Sequence, residues 1–189
     1  MRCSGATIGK RARCQLYPFP TIHKELPTQF EQVGYDVVLI DCPPGAATGT
    51  DHKTNITRSA LLAAHAVLMP VRPTLLDYQA AAIIIPLLQD VSFLRQDAVL
   101  KVLLVINGKL AGNTRLGSEA HAAAESILAA EGMPITVLRT EICSRQTFAE
   151  APAVGQAVVD YAPQSKASAE MLELAKEVLE CLNQVAVGA

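Results

Sequence analysis

The chain predicts an α/β fold: a parallel, doubly wound sheet with helices on both faces. Two observations predict the parallel layered part of this. Short apolar runs at residues 37–40, 66–71, 99–106 and 134–138 recur between stretches with helical periodicity. The runs are continuous and rich in β-branched residues, as strands buried on both faces are, and do not alternate. Strands that alternate with helices specify parallel pairing through right-handed crossovers.

Taken in order, residues 1–20 read as an irregular basic arm, with Arg2, Lys10, Arg11 and Arg13 ahead of Tyr17-Pro18-Phe19-Pro20 and no period. Residues 21–189 read as one domain. Residues 21–33 suit a helix, with Gly34 placed where a chain leaves one. Residues 36–41 read as a buried strand, Val37, Val38, Leu39 and Ile40, ending at Asp41 ahead of a stiff Pro43-Pro44-Gly45 turn. A polar loop over 45–53 leads to a helix over 54–64, capped by Thr54 or Asn55. Residues 66–71 are a second strand, closed by Pro70 and Pro73. Residues 77–89 form an Ala-rich helix disturbed by Pro86. The strand over 99–106 stops at Asn107-Gly108. Asn113 opens a helix whose Leu116, Ala120, Ala123, Ala124, Ile127 and Leu128 share a stripe, and Gly132 ends it. Residues 134–138 make a short strand, and 141–153 a loop with a short helix. The last helix, 165–182, directs Leu172, Ala175, Val178, Leu179 and Leu182 at the core. The sheet is expected to be ordered around the 36–41 strand, with part of one face or edge thinly covered.

Composition narrows the function classes. Of 189 residues, 50% are hydrophobic and 18% charged, enough for one substantial core. The net charge is -2, so contact with nucleic acid requires a local basic patch. The longest apolar run, 80–88, is broken by Pro86 and too short to span a bilayer. No apolar stretch follows the N-terminal charges, so no signal peptide is visible, and a cytoplasmic location without membrane contact is expected. The five cysteines are scattered and form no C-x-x-C pair, which reads as reduced thiols.

Asp41 carries the first chemical reading. In open α/β sheets the carboxyl ends of the strands hold ligands. A carboxylate there suits Mg²⁺, a hard cation that takes one or two protein carboxylates and otherwise waters and phosphates. The plainer reading is a solvated Asp that ends a strand, and the strand alone does not separate the two.

Further motifs narrow this. YDVVLIDCPP at 35–44, TNITRSALLAAHAVLMPV at 54–71, VLLVIN at 102–107, and EAP at Glu150, Ala151 and Pro152 followed by Gly155 and Tyr161 stand in sequence order on the expected strand ends. Together they resemble the ParA/MinD group of partition ATPases, on the plasmid and chromosome segregation branch, over about residues 35–182. The resemblance implies ATP and Mg²⁺ as cofactors, ATP-dependent homodimerisation and nonspecific binding to nucleoid DNA. It also implies a ParB-like centromere-binding protein as partner. Asp41 resembles the Walker B acid that positions Mg²⁺ through water. Pro43, Pro44 and Gly45 resemble the switch that senses the γ-phosphate. Asn107 resembles the adenine-reading position, where an amide offers a paired donor and acceptor; a turn residue before Gly108 is the equal alternative. Cys143 stands where many relatives carry a Pro beside the adenine. Asp77 resembles a residue bordering the dimer face, or is a helix cap. Arg145 resembles a basic DNA-phosphate contact, with Arg139 and Lys166 nearby, or is a solvated surface arginine.

The chain also departs from that pattern. The family's phosphate loop, K-G-G-x-G-K-[ST], is absent. GATIGKRA at 5–12 is one residue short of the required spacing and follows Lys10 with Arg11, which brings no hydroxyl for Mg²⁺. The expectation is a ParA-like domain without its first strand–P-loop–helix unit, roughly 30 residues or more. Such a chain would be a truncated, hydrolysis-deficient partition protein or a non-catalytic interaction module derived from one.

Overall fold

The computed structural model describes residues 3–4, 13–14, 37–43, 52–95, 100–110, 119–129 and 133–186. Two short strands, β1 (Cys3–Ser4) and β2 (Arg13–Cys14), pair antiparallel. Some pairing therefore exists inside the stretch expected to be irregular. The elements that follow are α1 (His52–Ala63), β3 (Ala66–Val71), α2 (Leu75–Ala82), α3 (Ile85–Leu94), β4 (Lys101–Lys109) and α4 (Ala120–Ala129). They end with β5 (Ile135–Cys143), α5 (Thr147–Ala153), α6 (Val158–Tyr161) and α7 (Lys166–Ala186).

Strands β3, β4 and β5 form a parallel sheet in that order, with β4 in the middle. Helices cover both faces, as the α/β reading requires. On the first face Val71, Leu104 and Ile106 pack with Tyr78, Ile85 and Ala124, and Met69 and Val102 pack with Leu61, Leu88 and Val91. On the second face Leu103, Val105, Leu138 and Ile142 pack under Leu174 of α7. Each of the Val, Leu, Ile and Met side chains among these contributes on the order of 1.5–3 kcal/mol by leaving water. Leu68 and Pro70 of β3 face the second side and stay exposed.

Several expectations are corrected. Residues 37–43 form neither helix nor strand, and Val37 and Leu39 are exposed, Leu39 at 93%. The sheet is thus centred on β4 and not on residues 36–41. An apolar run supplies the drive for burial, but a strand also needs a neighbour's hydrogen-bond ladder, and no described strand pairs with residues 37–43. Helix α1 begins at His52, so Thr54 is a buried helical residue and no cap. The 77–89 helix is two helices, because Pro86 sits in the first turn of α3, the one place where its missing N–H costs nothing. Strand β4 runs on through Asn107 to Lys109 with Gly108 at φ 72. That left-handed conformation lets it continue past a register irregularity. Strand β5 likewise continues to Cys143. Gly34, Pro44, Gly45, Asn113, Leu116 and Gly132, and the helix expected over 21–33, lie outside the described residues.

Helix α7 shows the largest correction. Its inward side carries Ala167, Ser168, Leu174 and Glu177, with Met171, Val178 and Cys181 half-buried, while Leu172, Ala175 and Leu179 face outward. The helix is apolar on two stripes, and a carboxylate decides which one faces the sheet. Between Leu104 and Ile106 the β4–β5 register shifts, so that Leu138, Arg139 and Thr140 stand opposite Val105 alone. Glu177 fills the gap. Its Oε1 accepts from Arg139 N at 2.8 Å and its Oε2 from Thr140 N at 2.9 Å. Burial alone would raise this carboxyl group's pKa. The hydrogen bonds from the Thr140 side chain, the two backbone N–H groups and the Arg139 side chain outweigh it and bring the pKa to about 2.

Because the folded-state pKa lies below the ordinary 4.5, the stabilisation is fully present above about pH 4.5 and is lost as pH falls toward about 2. Its upper bound is roughly 3 kcal/mol. Urea melts across this window are expected to show a steeper acid loss for the native chain than for Glu177→Gln. Parallel pH profiles for the two proteins would contradict the assignment.

Candidate functional site

The sheet's carboxyl edge brings together three of the site residues expected from the sequence, Asn107, Cys143 and Arg145. Arg72 follows β3, Asn107 and Gly108 lie near the end of β4, and Cys143, Ser144 and Arg145 close β5. The pairings Asn107↔Ile142 and Lys109↔Cys143 bring Asn107 and Cys143 to the same edge of neighbouring strands. Asn107 is exposed, and with Pro70, Val71, Arg72, Asp77, Ala80 and Ala81 it lines an open cleft of ≈ 520 Å³.

The cleft's far wall is α2, through Asp77, Ala80 and Ala81. Thr74 is the N-cap in an extended conformation, and its hydroxyl accepts from Asp77 N at 3.1 Å while donating to Asp77 Oδ2 at 2.5 Å. Asp77 therefore sits in the helix's first turn and is not its cap. A carboxylate there is favoured by the helix dipole. The signal was present as T-x-x-D, a capping-box spacing with Asp in place of Glu.

Behind Asn107 runs a set of neutralised charges. Lys109 Nζ meets Glu141 Oε2 at 2.5 Å, with both side chains about a quarter exposed or less. Tyr78 lies buried against the first-face core; burial raises its phenol pKa and the Glu141 charge raises it further. At the end of β5, Arg145 forks onto Glu170 of α7, with Nε 3.2 Å from each carboxylate oxygen and Nη2 in contact with Oε1. Glu170 Oε2 also accepts from Cys143 N at 3.2 Å. Burial raises the pKa of Glu170, but the Arg145 and Cys143 hydrogen bonds bring it below the ordinary value. The Cys143 thiol is raised, first by burial and then by Glu170. The guanidinium proposed from the sequence as a DNA contact is thus held by an internal carboxylate. Arg139 is 83% exposed at its side chain and Lys166 is exposed.

Asp41 stands apart. Its carboxylate is exposed, and Pro43 is half-buried. The Cys42 thiol pKa is raised, chiefly by burial and also by Asp41, while the Thr57 hydroxyl of α1 lowers it. No hydrogen bond or ion pair among the described residues joins Asp41 to Asn107, Cys143 or Arg145. Nor do three or more His, Cys, Asp or Glu side chains converge on one point among those residues. One carboxylate is an adequate protein ligand for hydrated Mg²⁺ but does not define a site. Asn107 is exposed at the sheet edge, and the described residues do not assemble a cradle for a triphosphate. Glu170, Glu177, Thr74 and Arg72 are the residues that sequence reading passed over. For the two glutamates, the i, i+7 spacing on one helix face was the available signal.

A parallel sheet with helices on both faces and polar residues at its carboxyl edge is consistent with a P-loop NTPase-like α/β domain. The chain is similar to the sporulation initiation inhibitor protein Soj of Bacillus subtilis (strain 168), with 30% identity over 181 residues. The match covers 92% of this chain and 64% of Soj, so the chain spans less than two thirds of that relative's length. No family model matches. The similarity supports a ParA/MinD-like relationship, the one read from the motifs. No helix among the described residues is long and apolar enough to cross a membrane.

Removing the Glu170 carboxylate would leave Arg145 unpaired and take one acceptor from Cys143 N. Glu170→Ala is expected to lower unfolding free energy by about 1–3 kcal/mol, and Glu170→Gln, which keeps an acceptor, by less. Urea denaturation reads both, and equal stability for all three proteins would contradict the bridge.

Proposed function

We propose that this chain is a ParA-type partition protein that acts on DNA with a ParB-like centromere-binding partner and associates as a homodimer. The similarity to Soj over 92% of the chain carries the reading. The placement of Asn107 at the carboxyl edge of a parallel sheet supports a nucleotide-linked role. Asp41 is the Mg²⁺-positioning acid in this reading, and Pro43, Pro44 and Gly45 are the switch that follows it. Cys143 lies beside the base.

A second reading, a non-catalytic interaction module, is favoured by one specific observation. The 189 residues contain no K-G-G-x-G-K-[ST] loop, and phosphoryl transfer depends almost wholly on such positioning. Hydrolysis by this polypeptide is therefore expected at background. DNA contact runs through Arg145 with Arg139 and Lys166. Because Glu170 already holds Arg145, a DNA phosphate competes with an internal carboxylate, and binding is weak.

Gel shift across a salt series, with phosphate release followed in the same preparation, tests both halves. The expected salt slope is shallow, about -0.9 for each of a few phosphate contacts. Arg145→Ala should weaken binding to all sequences alike, and Glu170→Gln, by freeing Arg145, should strengthen it. Phosphate release should match that of Asp41→Ala. Unchanged DNA binding in Arg145→Ala removes the DNA role from that residue. Release well above background that vanishes in Asp41→Ala would show a working phosphate site.

A further inference from the structure

Helix α7 carries an apolar stripe that the sheet does not use. Met171, Leu174, Val178 and Cys181 pack toward the sheet. Leu172, Ala175, Leu179 and Leu182 repeat the same 3-4-3 spacing one residue later, about 100° round the helix. Leu172 is 37% exposed and Leu179 45%, Ala175 is exposed, and Leu182 is half-buried. Leu172, Ala175 and Leu179 lie on the far side of α7 from Glu170 and Glu177, the two carboxylates that hold β5. Single apolar side chains on a surface need no partner. A 3-4-3 stripe on one helix is different, because that spacing is the seam by which helices pair.

The charges beside the seam decide which partner fits. Lys176 and Glu180 flank it and are exposed. Lys176 meets Glu173 at 3.5 Å within the same helix, with both side chains more than half exposed. Such a contact contributes little in water and is readily exchanged. A second α7 laid antiparallel against the first sets Leu172 opposite the other copy's Leu182, and Ala175 opposite its Leu179. Each Lys176 then comes within reach of the other copy's Glu180, and the two-fold axis makes that pair twice. The small Ala175 lets the two helices approach closely. A parallel pair would instead set Lys176 against Met171 or Val178, which already pack on the sheet. The seam therefore complements itself in charge and in shape.

We infer that the outer stripe of α7 is a self-association surface. Two copies of this chain pair antiparallel through Leu172, Ala175, Leu179 and Leu182, with Lys176 of each on Glu180 of the other. The surface is not the Asp77 side, where the resemblance to partition ATPases places a dimer face. Its pairing needs neither nucleotide nor DNA, so it and the proposed function can fail separately.

Light scattering on the full chain, without nucleotide and across a concentration series, tests the inference. The native chain is expected to rise to twice its 20.1 kDa mass, and Leu179→Glu to keep the mass of one chain throughout. Lys176→Glu and Glu180→Lys, each alone, should weaken association by about three- to tenfold, because each sets like charges together. Combined in one chain, the two substitutions reverse both partners and should restore it. Leu179, Lys176 and Glu180 are exposed, so the far-ultraviolet circular dichroism spectrum should stay native in every variant, which separates lost pairing from lost fold. A native chain that stays single at every concentration would overturn the inference. So would a dimer that survives Leu179→Glu, a dimer that forms only with Mg²⁺–ATP, or a double variant no better than the single ones. Mass that grows without a plateau at two chains would show nonspecific adhesion and overturn the two-fold pairing.

Discussion

Everything at the carboxyl edge depends on two carboxylates that helix α7 presses against strand β5. A parallel strand with register breaks exposes N–H groups that its neighbour cannot reach, and an unsatisfied buried donor costs on the order of 1–3 kcal/mol. Glu177 takes the N–H groups of Arg139 and Thr140, and Glu170 takes that of Cys143. The spacing works by geometry. Seven residues of helix rise about 10.5 Å, close to the length of the strand between those two sets of donors. Glu177 meets the earlier donors and Glu170 the later one, so α7 runs antiparallel to β5.

Those contacts fix what the edge can present. Once β5 is held in its shifted register, Asn107 stands opposite Ile142 and Lys109 opposite Cys143. Gly108 absorbs the second irregularity with a backbone that a β-carbon would strain. The same carboxylates neutralise Arg139 and Arg145, so local charge at the end of β5 is spent on architecture. On the other side Arg72 is exposed and forms no ion pair with a described residue.

Much of this was legible in the residues. Continuous apolar runs separated by helical stretches gave the parallel sheet, and the bounds of residues 66–71 hold to the residue. The 37–40 run misled because burial drive and ladder pairing are different properties, and apolar composition reports only the first. The face of α7 misled for a related reason. Leu172 and Leu179 make an apolar stripe as good as Met171 and Val178, and a reader who keeps charges off the core places Glu177 outside. Its burial becomes intelligible only when the broken ladder of β5 is known, and that break has no signature in the sequence. Asn107 and Cys143 were singled out through resemblance, and the sheet places them at one edge of neighbouring strands.

The most direct measurement of this account is amide hydrogen exchange at Arg139 and Thr140. The register shift leaves both outside the β4 ladder, so any strong protection must come from Glu177. The account predicts that the two amides exchange as slowly as those of Leu104 and Val105 in the native chain, and that their protection falls selectively in Glu177→Ala. Fast exchange at both in the native chain, or protection that survives Glu177→Ala, would contradict it.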